Sequence, residues 1–531
     1  MQRILFVLFF FSTTYAAECG FNKLLNFHHS PTQAHLAYQH FGHNICVPEA
    51  LYDRVLLKST PNFRILYTLE GPHAIPAARA DSLLDSLALW LEQAHFLHTD
   101  SLGMRTPLGS ETSFHYQDQR YPEKYPVEII DIGLMRDSDE LLGGPCGACY
   151  GLTMPSKNNF RRSTLLIDND FMYHTSHSPL DTWEYTQNGQ IKQCQYRPSK
   201  QEITGSLQNQ EINYAVEWIP ALKVTTFHEL YHACQLRYQN YEDQYHFWFE
   251  ASATGVEAVA VPESEDYLQY LPGVFSQSEI SILDINQPYR PYGQAVFYHS
   301  LFELLGPKFD HEIWSSLEKD PFDKIESHFD KVCDKLGVQN LANAVHFHAK
   351  SLAFSGARSQ ENPIEDWQIN LHKWPEVNVQ KQTSAQDHWQ AFSFRYYDYT
   401  PENRSVLEQH SLTVSEILGK KDHFLVASSG AEEVRLNSEP APPKNAVWPN
   451  PWRPFQGVFG HELCFINPDN KSKSIDIRDR SGKVIISLKR DDLNKAFSWN
   501  GRLPNQQTIS PGLYLVQSSA QAKLLRFIVL R

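Results

Sequence analysis

The sequence contains no cluster of basic residues, and acid outweighs base over the whole chain: 61 Asp and Glu stand against 47 Lys and Arg, a formal net charge of −14. That balance excludes any composition-based reason to expect nucleic-acid binding. After the first few residues no apolar run is long enough to cross a bilayer, so no transmembrane segment is expected in a mature protein. Cysteine is sparse, at eight in 531 residues. Only Cys146-Gly-Ala-Cys149 forms a C-x-x-C, and without a second copy a zinc knuckle cannot be completed. A redox pair is the other functional reading, and a loop disulfide, with Cys194 as a further candidate partner, is the favoured one. What remains is ordinary globular material: hydrophobic residues at 41% suffice for packed cores, and the length calls for several domains.

The first residues have the layout of a secretory signal peptide. Met1-Gln-Arg3 supplies the charge, Ile4 to Phe11 the short apolar run, and Ala16-Ala17 the small-residue exit. Glu18 before Cys19 argues against a lipoprotein signal. The protein is therefore expected to be exported, to the cell surface, the medium or the periplasm. In that oxidising setting some cysteines should pair, with Cys19–Cys46 the first candidate.

The most informative stretch runs from Val224 to Gln235 and contains His228-Glu229-x-x-His232. Residues four apart on a helix share a face, so both imidazoles can address one ion. Two histidines suit Zn²⁺, which in a catalytic site takes a third protein ligand and leaves room for water. Glu229 projects beside them as a general base. The plainer reading is a buried helix with two satisfied histidines. The apolar and small flanks, Thr225, Thr226, Phe227, Leu230, Tyr231 and Ala233, suit a buried active-site helix. His311-Glu312 and His461-Glu462 have no histidine one turn on and do not compete.

A third ligand is expected downstream. Tyr245 to Glu257 reads as an aromatic lead-in to a second helix, whose small residues Ala251, Ser252, Ala253 and Gly255 allow close approach to the first. Glu250 sits where the two helices would first meet and is the favoured ligand. Glu257, two turns on, is the alternative ligand or a partner holding a histidine ring.

Elsewhere, Phe63, Ile65, Tyr67 and Leu69 alternate as in a half-buried strand. A helix is expected from about Pro76, with Leu83, Leu84, Leu87, Leu91 and Ala94 on its core face. Val127–Gly133 and Ser163–Asp170 read as further strands. The acids closing the latter could bind calcium, although a strand-end turn is the simpler reading. Helical patterns continue from Phe302 to Leu352, with His346 and His348 as ordinary helix residues. From about Trp374 the pattern turns to short alternating segments, and Glu439-Pro-Ala-Pro-Pro443 reads as a linker. Regular short strands between Gly and Pro turns follow and suggest a small β-sandwich.

His228-Glu229-x-x-His232 followed by Trp248-x-Glu250-Ala251-x-Ala253 resembles the gluzincin metallopeptidases, and in particular secreted bacterial gluzincin-like proteins. Their motif runs Thr-x-x-His-Glu-x-x-His-x-x-Gln, here Thr225 to Gln235. The likeness spans roughly residues 60 to 310. It implies an α+β fold: a small twisted sheet over the zinc helix, then a helical second half. It also implies an exposed strand edge that pairs with an extended peptide, and a downstream Tyr or His that steadies the oxyanion. Tyr292 is the candidate, with Tyr289 next, against the plain alternative of a core or loop tyrosine. One position departs: where thermolysin-like proteins carry an Asp four residues after the ligand Glu, this chain has Thr254. The partner that orients the histidines is thereby left open.

The C-terminal segment resembles the sorting domains of the type IX secretion pathway and the Ig-like domain of flagellar hook-capping proteins. Pro449-Asn-Pro451, Asp479-x-x-Gly482, Trp499-x-Gly501 and Pro511-Gly-x-Tyr514 carry that resemblance, which implies outer-membrane secretion machinery as a partner. The expected organisation is a signal peptide over 1–17, a zincin-like domain over 18–373 and a small β-rich domain over 374–438. A linker over 439–446 and an Ig-like β-sandwich over 447–531 complete it. The expected function is a secreted zinc peptidase acting on peptides or proteins: one Zn²⁺ on His228, His232 and Glu250, with Glu229 and Tyr292 as the catalytic residues. The competing expectation is a non-catalytic zinc-binding surface or adhesion protein that keeps the same shell.

Overall fold

A computed structural model of the chain describes residues 54–134, 150–156, 158–173, 179–196, 198–202, 204–207, 210–238, 245–262, 265–284, 290–361, 371–384, 386–419, 422–436, 446–448, 464–467, 472–490, 497–499, 501–505, 507–518 and 524–529. The expected signal peptide, the Cys19–Cys46 and Cys146–Cys149 pairs, the 439–443 linker core and Tyr289 lie outside them. The fold is mixed α+β.

The first sheet is built from β1 (Leu56–Ser59), β2 (Phe63–Tyr67), β3 (Leu108–Gly109), β4 (Tyr125–Ile130), β5 (Gly151–Ser156) and β6 (Asn159–Asp168), with helix α1 (Ala80–Phe96) between β2 and β3. The order is β1-β2-β4-β6-β3, with β5 on β6. β2, β4 and β6 run parallel, and β5 pairs antiparallel to β6. Side chains alternate across it as strand geometry demands. Ile65, Ile129, Leu165 and Ile167 face one core, whereas Leu66, Ile130 and Leu166 face the other. The first core is completed by Leu83, Leu84, Leu87, Leu91 and Ala94 of α1, whose helix starts at Ala80, four residues after Pro76. The acidic end of β6 closes as a turn: the Asp168 carboxylate accepts the backbone N–H groups of Ile132 (3.0 Å), Asp170 (3.0 Å) and Phe171 (2.6 Å).

An exposed hairpin, β7 (Asp181–Gln187) and β8 (Gln190–Tyr196), precedes the two central helices, α2 (Trp218–Gln235) and α3 (His246–Ala260). Every α2 residue from Val224 to Gln235 is buried, so this helix is enclosed on all sides. A short turn, α4 (Arg290–Gly293), leads to α5 (Ala295–Leu305), α6 (Phe309–Lys319), α7 (Ile325–Lys335) and α8 (Leu341–Leu352). Gly255 lets α3 and α5 close up, since a Cβ there would lie 2.4 Å from the Tyr298 ring. Buried Asp310 ties three helices together by accepting from Tyr231 of α2, from Trp248 Nε1 of α3 (2.6 Å) and from Trp314 Nε1 of α6 (3.1 Å). His346 and His348 do serve as packing residues. The first meets Ser428 Oγ at 2.8 Å and Ser415 Oγ at 2.7 Å, and the second meets Ser300 Oγ at 2.8 Å.

A four-stranded sheet follows, ordered β9 (Val379–Gln380), β10 (Phe394–Asp398), β12 (His423–Ser428), β11 (Thr413–Leu418). The chain divides into two compact units: Met1–Lys381, Trp389–Asp398 and Ser415–Glu433 form the first, and the remainder forms the second. Residues 374–438, expected as a separate domain, are thus shared, because β10 and β12 pair within the first unit. In the second unit, β13 (Ala446–Trp448), β14 (Cys464–Asn467) and β17 (Phe497–Trp499) make one antiparallel sheet. A second antiparallel sheet holds β15 (Ser474–Asp479), β16 (Val484–Lys489), β18 (Gly512–Ser518) and β19 (Leu524–Val529). Ile475, Ile477, Phe497, Trp499, Val516 and Phe527 supply its core. Cys194 is disulfide-bonded, while Cys234 and Cys333 are free and buried. Among the described residues no helix is long and apolar enough to cross a membrane.

Candidate metal centre

The helical spacing of His228 and His232 stacks their rings on one face of α2, with centroids 4.6 Å apart. Glu250 of α3 meets them: its Oε2 lies 3.3 Å from His228 Nε2 and 3.6 Å from His232 Nε2. All three side chains are buried, and their ligand atoms lie within 4.8 Å of one another. Burial of so much polar chemistry demands partners. Yet His228 Nε2 and both carboxylate oxygens of Glu250 make no hydrogen bond. The atoms are close but not aligned as donor and acceptor, which is how ligands converging on a third atom are placed. Metal–ligand bonds of about 2.0–2.1 Å in a tetrahedron put neighbouring ligand atoms roughly 3.3–3.4 Å apart, close to the spacings seen. The group can therefore hold a metal ion.

Each histidine is oriented through its other nitrogen. Glu257, two turns further along α3, accepts a hydrogen bond from Nδ1 of His228. Gln235 Oε1 accepts from His232 Nδ1 at 2.6 Å, while its amide donates to Ser252 Oγ (2.8 Å) and to the carbonyl of Phe249 (3.1 Å). Both rings consequently present Nε2 to Glu250. Glu257 thus stands behind a ligand rather than among the three that converge, and these two side chains fill the role that the Thr254 departure left open. The role of Gln235 was missed from sequence, although the motif's x-x-Gln ending placed it one turn from His232.

Electrostatics follow the same geometry in the metal-free chain. Burial opposes a charge on His228, but Glu257 and Glu250 outweigh it and hold its pKa well above the ordinary value. Burial likewise opposes ionisation of Glu250, yet the two histidines bring its carboxyl down to about 2. Burial dominates at Glu257 and pushes it up to about 7 despite His228.

Glu229 lies under β5. Thr153 Oγ1 sits 2.8 Å from its Oε2 and 2.6 Å from its backbone carbonyl. Gly151 makes that approach possible, for a Cβ there would fall 2.4 Å from Thr225 Cγ2 and 2.9 Å from Glu229 Cγ. Neither residue stood out in the sequence, because the strand pairing that brings them here is non-local. β5 is outermost by pairing, but Gly151 to Pro155 are buried, so the exposed edge expected for a peptide is not found on this strand.

The centre opens into a cleft of about 420 Å³ lined by His228, Glu229 and Glu257 on one side. Tyr292 also lines it, stacked on Tyr270 with ring centroids 5.0 Å apart.

No family model matches this chain, and no curated protein does. Among solved structures, one similar in part is PorZ, a bacterial surface component of the type-IX secretion system of Porphyromonas gingivalis. It shares 18% identity over 26% of this chain and 17% of that one, with a TM-score of 0.14. A likeness so short and so loose says nothing of the metal centre.

Proposed function

We propose that the protein is a zinc-dependent peptidase. The observation that carries this reading is the convergence of three buried ligand groups, His228, His232 and Glu250, with Glu229 and His228 at the wall of an open cleft. Two imidazoles and one carboxylate are a donor set that suits Zn²⁺ and leaves a position open. When bound there, the ion would acidify a water and polarise a scissile carbonyl.

The chain's own groups account for the rest. Glu229, steadied at one oxygen by Thr153, takes a proton from the attacking water and hands it to the leaving amine. Tyr292, whose ring is braced against Tyr270, donates its hydroxyl toward the developing oxyanion. Glu257 and Gln235 hold the ligand rings in the tautomer that offers Nε2. We take the C-terminal strands over 447–531 to form a β-sandwich that serves export or surface display, in keeping with the sorting-domain-like motifs.

The test is a metal analysis of purified protein beside a broad peptide-library assay. One zinc per chain with chelator-sensitive cleavage is expected. Stoichiometric zinc with no cleavage of any peptide would favour a binding protein built on the same shell.

A further inference from the structure

We infer that the cleft beside the metal ligands is a subsite for a cationic group of the substrate, seated on Asp266 between tyrosine faces. The inference rests on the peptide-hydrolase reading and names its substrate class. The cleft is lined by three carboxylates, Glu229, Glu257 and Asp266, and by no lysine or arginine. With Glu250 beside it, this acidic wall is offset by no lysine or arginine of the cleft, and such a wall attracts cations.

Of the three, Glu229 is assigned to proton transfer and Glu257 to His228, which leaves Asp266 without a part in the chemistry. Asp266 is firmly placed nonetheless. Its Oδ1 accepts from Tyr214 Oη at 2.5 Å and from Gln269 Nε2 at 3.1 Å. The stacked pair Tyr270 and Tyr292 supplies aromatic faces at the same wall, and such faces attract ammonium and guanidinium groups. An independent sign of a ligand is Thr254. It lines the cleft, is 1% exposed, and its hydroxyl has no hydrogen-bond partner. A hydroxyl can accept from an N–H donor, and an unpartnered one is costly to bury.

Two parts of a peptide carry this chemistry: a Lys or Arg side chain, and a free α-amine. Three probes separate them: N-acetyl-argininamide, citrullinamide with a free amine, and N-acetyl-citrullinamide, which carries no cation. Their affinities for the zinc-loaded full-length protein are measured by calorimetry. At least one charged probe should bind about 10-fold or more tightly than the uncharged one, as a charge-assisted hydrogen bond requires. In Asp266→Asn, checked for zinc content and melting temperature, that ratio should collapse. Three wild-type affinities within about 3-fold of one another would overturn the inference without any variant. So would a preference that survives intact in Asp266→Asn. Selective binding without cleavage of any peptide would sink the peptidase reading while leaving the cation subsite standing.

Discussion

Replacing Gly151 by alanine tests whether β5 positions Glu229. The added methyl would lie 2.4 Å from Thr225 Cγ2 and 2.9 Å from Glu229 Cγ. Ordinary carbon contacts are about 3.5–4.0 Å, so the shorter contact must open by roughly 1 Å. Strand and helix are both fully packed, and overpacking of this kind costs about 1–3 kcal/mol. If β5 lifts to relieve the clash, the 2.8 Å contact from Thr153 to the Glu229 carboxylate stretches past hydrogen-bond range. A misplacement of this size in a catalytic group costs up to about 10²-fold in rate. The atoms nearest the added methyl belong to Thr225, Glu229 and Leu166 and not to a ligand, so zinc should remain. The assay combines urea unfolding, zinc stoichiometry and turnover of a cleaved peptide. Wild-type turnover in a destabilised, zinc-loaded Gly151→Ala would refute the positioning argument. Unchanged stability would refute the packing argument beneath it.

Five further outcomes are expected. His228→Ala with His232→Ala should leave no stoichiometric zinc by elemental analysis, and retained zinc would place the site elsewhere. Glu257→Gln should weaken zinc about 10- to 100-fold in chelator competition, against near-total loss for Glu250→Ala; the reverse ranking would exchange their roles. Zinc affinity should rise with pH, because an ion at Nε2 must displace the proton that Glu257 and Glu250 hold on His228. The gain ends once pH passes that raised pKa, and chelator competition across pH measures it. In the metal-free protein the sign reverses: the raised His228 lends stability that is full below about 6.5 and is lost as pH climbs through the folded value. Asp310→Ala should cost at least about 3 kcal/mol in urea unfolding, since Tyr231, Trp248 and Trp314 would each lose their acceptor.

What could be read from the sequence was what is local. The i, i+4 histidines, the glutamate between them and the small-residue helix bearing Glu250 follow from spacing along two helices, and the structure brings His228, His232 and Glu250 to one point. The alternating strands and the α1 leucines were legible for the same reason. Glu257 was placed only as one of two alternatives, because spacing along a helix does not say how far it leans toward its neighbour. Gly151, Thr153, Thr254 and Asp266 were not legible as parts of a site. Gly151 and Thr153 arrive through the β5–β6 pairing and Asp266 from the segment after α3, contacts with no periodic trace in the chain, while Thr254, one turn past Glu250 on α3, was noted only as a departure from a motif. The sharing of 374–438 between the two units was not legible either: β10 and β12 pair although the helix between them in sequence, Pro401–Gln409, is grouped with the other unit.

The central claim is catalysis at this centre, and Glu229→Gln tests it most directly. The amide keeps the size of the side chain and can still meet Thr153, but it cannot take a proton. The account predicts a folded protein with one zinc per chain and turnover reduced roughly 10²- to 10⁴-fold on a peptide that the wild type cleaves. Near wild-type turnover with zinc in place would contradict it.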